Sequence, residues 1–145
     1  MKIKRLTPKI FRPYGYIINY PNKHKKGHQK NLFRIVVTEN KCIGWRIAYL
    51  IVRDKHIHRL ESHPDSFESF EPIHRNGLLF VAQKKNDPKI ECFLLTKPVI
   101  LKKGIWHGVI SLSHEWELKL TENAKVNCVY WPLGYKLNKQ GRSSS

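Results

Sequence analysis

The sequence predicts an all-β fold, a sandwich or barrel in a single domain with little helix. Three observations carry the prediction: short β-rich runs recur along the chain, turn signals part them every ~8–12 residues, and no stretch has a convincing helical period. With 41% hydrophobic and 11% aromatic residues among 145, the composition suits one globular domain around one core.

Taken in order, a helix over Thr7–Tyr14 has little room, because Pro8 and Pro13 restrict it. Strands are predicted at Leu32–Thr38, Trp45–Val52, Ile57–His63, Ser66–Pro72, Leu78–Gln83, Glu91–Leu95, Val99–Leu101, Gly108–Leu112, Glu115–Leu120 and Val126–Trp131. Breakers such as His63-Pro64-Asp65, Arg75-Asn76-Gly77, Asn86-Asp87-Pro88 and Lys103-Gly104 lie between them. In Glu115–Leu120 apolar and charged residues alternate, the mark of a half-buried strand. The same period places Arg59, Glu61 and His63 on one face of their strand and His58, Leu60 and Ser62 on the other. The expected domain runs over 1–137, and 138–145, ending in Gly141-Arg142-Ser143-Ser144-Ser145, is expected to be a disordered tail.

Charge and cysteine usage remove several function classes. No apolar run approaches the ~20 residues that cross a bilayer, and Met-Lys-Ile-Lys-Arg-Leu is not followed by the apolar stretch of a secretory signal, so a cytoplasmic protein without a membrane partner is expected. Cys42, Cys92 and Cys128 are an odd number at wide spacing, neither a disulfide framework nor a zinc finger. Cys92 and Cys128 sit in apolar runs and read as small buried hydrophobes. Lys plus Arg is 27 against 11 acids, a net charge of +16, which draws in anions. The densest basic stretch, residues 23–30, reads as a basic loop; it lacks the aromatic platform of single-strand binders, so nucleic acid is not the favoured partner.

The residues able to carry chemistry are more concentrated. Glu61-Ser62-His63-Pro64-Asp65-Ser66-Phe67-Glu68 has the spacing E-x-H-x4-E, and Gly104-Ile105-Trp106-His107 follows some forty residues on. Residues i and i+2 of a strand project ~6–7 Å apart on one face, and a turn returns the chain beside them. Glu61, His63, Glu68 and His107 can then converge inside a barrel as a nitrogen–oxygen set suited to a divalent Mn, Fe, Ni, Co or Zn ion. Without a metal the same groups suit acid–base catalysis. A second H-x-H, His56 and His58, has no carboxylate at the required distance.

These two segments resemble the paired motifs of cupins, H-x-H-x3,4-E and P-x-G-x-x-H, with Glu61 in place of the first histidine and Lys102 in place of the proline. The flanks tighten the resemblance. Phe11-Arg12-Pro13-Tyr14-Gly15 is similar to the F-x-x-Y-G opening of ureidoglycolate lyases, and Leu60-Glu61-Ser62-His63-Pro64 with Phe70 and Pro72 is similar to their L-E-R-H-P block. Ser62 stands where that family has arginine, Glu68 where it has glutamine, and Thr121-Glu122 where an aspartate–arginine pair is expected. The resemblance implies a cupin-type jelly-roll barrel, a homodimer and a carbon–nitrogen lyase that splits ureidoglycolate into glyoxylate and urea. It implies His63, Glu68 and His107 as the catalytic or metal-binding groups, with Arg59 or Lys102 neutralising the carboxylate of a small anionic substrate. A non-catalytic binder of a small ligand or metal, and a basic protein that holds polyanions, are the alternative functions.

Overall fold

A computed structural model describes residues 1–27 and 29–144. The hydrophobic alternation sets its architecture. In the strand Trp116–Asn123, Trp116, Leu118, Leu120 and Glu122 are buried while the residues between them are half-buried, so one face of the ribbon points into the core. In order, the elements are β1 (Ile3–Arg5), α1 (Pro8–Phe11), β2 (Gly15–Ile17), α2 (Asn22–Lys25), β3 (Trp45–Val52), β4 (His56–Ser62), β5 (Glu68–His74), β6 (Gly77–Ala82), β7 (Glu91–Leu94), β8 (Val99–Leu101), β9 (Trp106–Ser111), β10 (Trp116–Asn123), β11 (Val129–Asn138) and β12 (Gly141–Ser143).

Two sheets form, in the orders β1-β7-β6-β9-β4-β11-β12 and β2-β8-β5-β10-β3. Within them the eight consecutive strands β3 to β10 split into β4-β9-β6-β7 and β3-β10-β5-β8, all antiparallel. That interleaving is the double-sheet jelly roll, so the fold is the cupin-type all-β barrel. The main core, with Leu79, Val81 and Phe93 from one sheet and Phe70, Trp116 and Leu118 from the other, fills the space between them. β6 is buried on both faces: its alternate residues Leu78, Phe80 and Ala82 enter a second cluster closed by Trp131 and Leu137 of β11. The F-x-x-Y-G opening is part of this packing. Phe11 and Tyr14 lie edge-on to Phe93 at 5.2 and 5.9 Å, and Gly15 pairs with Leu101.

Several expectations are corrected. Leu32–Thr38 is not a strand; Phe33 and Ile35 are exposed, and β-propensity without a sheet edge or an apolar surface to cover does not make a strand. That segment is tied instead by Arg34 donating to the Asn19 carbonyl at 2.6 Å and by Lys103 meeting Glu39 at 2.6 Å. The basic loop holds the single turn α2, and His28 lies outside the described residues. β11 runs on to Asn138 past Pro132, its register shift absorbing Pro132 and Gly134. The expected disordered tail pairs in part, because β12 lies against Lys136–Asn138; Ser145 is outside the described residues. β3 is a free edge, with Trp45, Ile47, Tyr49 and Ile51 exposed on its outer face.

Candidate metal centre

Two turns and the ladder between β4 and β9 bring the candidate residues together. β4 ends at Ser62, so His63 leads the chain out of the sheet and Glu68 starts the returning strand β5. The turn between them is pinned to the end of β10: the Asn123 amide donates to Ser66 Oγ at 3.0 Å, and its side-chain amide donates to the Asp65 carbonyl. The Gly104 amide donates to the His63 carbonyl at 3.0 Å, with Gly104 at φ +80°, a conformation that favours glycine. The glycine turn of the second motif is thereby fastened to the first. His107 on β9 lies directly across the ladder from Glu61 on β4.

The side chains meet as the E-x-H-x4-E spacing requires. His63 Nε2 is 2.9 Å and His107 Nε2 3.0 Å from the same carboxylate oxygen, Glu68 Oε2, and Glu61 Oε1 is 3.7 Å from His107 Nε2. His63, Glu68 and His107 are each more than nine-tenths buried. His107 Nδ1 lies 3.0 Å from the Ile105 carbonyl, which only accepts, so Nδ1 carries the hydrogen and Nε2 is the atom aimed at the carboxylates. Phe70 lies edge-on to the same ring at 5.4 Å.

Electrostatics follow from the geometry. Burial works against charge on His107, but the Glu68 and Glu61 carboxylates outweigh it and push the imidazole up to about 10. Glu68 is opposed by its own burial, yet His107 and His63 hold it down at about 2. The His107 imidazole, 3.7 Å away, also lowers Glu61, against its partial burial.

A divalent cation fits this donor set. Glu68 Oε2 and His107 Nε2 are buried at ion-pair distance yet meet no hydrogen-bond partner with proper alignment, and His63 Nδ1 is also without a partner. One ligand atom each of His63, Glu68 and His107 lies within 4.8 Å of the others. Metal–ligand bonds of ~2.0–2.2 Å at right angles set neighbouring donor atoms roughly 3 Å apart, the separation found at Glu68. His63, Glu68 and His107 would hold the ion, with Glu61 beside them.

The two cationic candidates differ. Arg59 lines a cleft of about 520 Å³ with His56, His58, Glu61 and His107, its guanidinium 4.2 Å from the centroid of Tyr130. The cleft therefore leads from solvent to Glu61 and His107. Lys102 lines the buried cluster, and its ammonium donates to the Arg12 carbonyl at 2.7 Å and lies over the Tyr16 ring. His56 and His58 are exposed and outside the buried cluster.

Two residues were missed. Glu122 pairs with Glu68 across the ladder of β10 and β5, is buried, and meets Arg46 at 3.4 Å; burial and then the Glu68 charge push its carboxyl up. Continuing the alternation of Glu115–Leu120 by one step puts Glu122 on the buried face. Cys128, expected as a core hydrophobe, is half-buried and donates its S–H to Glu61 Oε2 at 3.4 Å. Its partner strand was legible, but the register that sets it near His63 was not. Cys92 is buried in the core as expected.

No protein-family model and no curated protein matches the chain. Among solved structures, it is similar to the S161A mutant of Bacillus subtilis oxalate decarboxylase OxdC at 17% identity and a TM-score of 0.47, over 63% of this chain. The chain spans about a quarter of that decarboxylase, 24% of its length.

Proposed function

We propose that this protein is a metal-dependent cupin that acts on a small carboxylate admitted through the Arg59 cleft. The observation that carries the reading is the meeting of His63, Glu68 and His107 on one buried point, at 2.9 and 3.0 Å from Glu68 Oε2. Bound there, a divalent ion supplies Lewis-acid polarisation of a substrate oxygen. Arg59 offers a fixed positive charge for the carboxylate, and the net charge of +16 raises the local concentration of anions.

The specific reaction supported by the motif resemblance is carbon–nitrogen cleavage of ureidoglycolate or a related hydroxy or ureido acid. Glu61 is the carboxylate of the cluster that faces the cleft, and its lowered pKa keeps it ionised to act as base. It takes the hydroxyl proton, the O–H electrons form the carbonyl as the C–N bond breaks, and the proton passes from Glu61 to the departing nitrogen. Glyoxylate and urea leave, and Glu61 returns to its starting state.

Elemental analysis of untagged protein purified without added metal tests the first part; near-stoichiometric transition metal is expected, and its loss in Glu68→Gln. Turnover of ureidoglycolate and related acids tests the second. If His107→Ala and Glu61→Gln leave every measured rate unchanged, the catalytic reading fails while the metal result stands on its own.

A further inference from the structure

The buried cluster has a neighbour with softer chemistry. Glu61, His63 and Cys128 form a second group whose ligand atoms all lie within 4.8 Å of one another, and it shares His63 with the first group. His63 is 7% exposed, its Nε2 meets Glu68 and its Nδ1 has no hydrogen-bond partner, so one ring nitrogen of a residue in this second group is buried and unsatisfied by protein. Cys128 is neither a core filler nor a surface thiol: it is half-buried, with its sulfur beside a carboxylate. A thiol placed next to an imidazole and a carboxylate, at the mouth of a buried His/Glu/His set, is a ligand arrangement that packing does not call for.

We infer that Cys128 supplies a thiolate ligand to the ion held through His63, so that the centre prefers a thiophilic cation such as zinc or cobalt over manganese or magnesium. The inference rests on the metal-binding reading above and narrows it. Thiolate donors favour borderline and soft ions, which widens the preference for zinc or cobalt over manganese that an imidazole and carboxylate set already has. Coordination replaces the S–H bond with a sulfur–metal bond. The released proton has a nearby acceptor in Glu61 Oε2, at 3.4 Å, and leaves from there to solvent through the cleft. The positive charge of the ion offsets the burial and the carboxylates that otherwise keep the thiol protonated.

The test is cobalt substitution followed by absorption spectroscopy, in a Cys42→Ser background so that the exposed thiol cannot contribute. The expected result is visible d–d bands together with a near-ultraviolet thiolate-to-cobalt charge-transfer band. Cys128→Ser should abolish the charge-transfer band, keep the d–d bands at altered energies, and lower the zinc-over-manganese preference at least tenfold in competition dialysis. Visible bands without a charge-transfer band in the parent protein would overturn the thiolate assignment and leave the His63, Glu68, His107 site standing. Failure to bind cobalt or zinc at all would overturn both. A charge-transfer band that survives Cys128→Ser would assign it to another thiol and refute the inference.

Discussion

Replacing Glu68 by glutamine removes one negative charge at nearly constant volume from the point where two imidazoles meet. In the metal-free protein His107 and His63 lower the Glu68 carboxyl from 4.5 to about 2. At about 1.4 kcal/mol per pH unit this corresponds to ~3 kcal/mol of folded-state stability. The His107 pKa is raised, to about 10, by the same contact together with Glu61, so the two effects are one interaction and are not summed. The signs follow from linkage. A depressed carboxyl stabilises above its ordinary 4.5, and that contribution is lost as pH falls towards about 2. A raised imidazole stabilises below its ordinary 6.5, and that contribution is lost as pH rises through about 10. Urea denaturation of chelator-treated protein at a series of pH values reads the difference between parent and Glu68→Gln. The variant should be less stable by ~3 kcal/mol near pH 5–6, and the gap should close towards pH 2 and narrow again above pH 7. A constant gap across pH, or none, would refute the assignment of Glu68 as the charge that holds the cluster together.

Other outcomes follow from the same geometry. Adding a binding cation at about one hundred times its Kd should raise stability by ~2.7 kcal/mol, a Tm increase of roughly 10 °C that a chelator reverses; differential scanning calorimetry reads it. Ion affinity should also rise with pH, because a cation competes with a proton at His107 Nε2. Gly104→Ala meets no neighbouring atom but forces a φ of +80°, so chemical denaturation should show a loss of ~1–2 kcal/mol. Its turn holds the His63 carbonyl, so ion affinity should weaken with it, and Gly104→Asn should be milder in both. On the outer face of β3, Ile47→Lys replaces an exposed apolar side chain, and stability by chemical denaturation should hold within about 0.5 kcal/mol.

The strands and the cluster were legible because local periodicity reports both. Trp45–Val52 and Val99–Leu101 coincide with the observed β3 and β8, where alternation or an apolar run meets a clear turn signal at each end. The spacing from Glu61 to Glu68, with the glycine turn before His107, encodes a hairpin and a neighbouring strand, so those four side chains were legible together. The motif position of Lys102 says where its backbone lies, near His63 and Glu68, and not that its long flexible side chain takes the Arg12 carbonyl as partner. The segment around Leu32–Thr38 failed for the opposite reason: its residues favour strand, but no edge receives it. Cys128 and Glu122 depend on ladder registers between strands far apart in sequence, and a single sequence does not encode register in any short pattern.

The tightness of the buried cluster governs how an ion arrives. His63, Ser66, Glu68, Leu101, Lys102, Ile105 and His107 close around one another with no room for a water molecule. Glu61 and Cys128 stand 67 residues apart in the chain. For an ion to load, the hairpin at residues 62–68 would have to lift from the Gly104 turn that fastens it, a local opening of the folded barrel. Uptake and release should then be slower than diffusion, and both should quicken in Gly104→Ala, where that fastening is loosened.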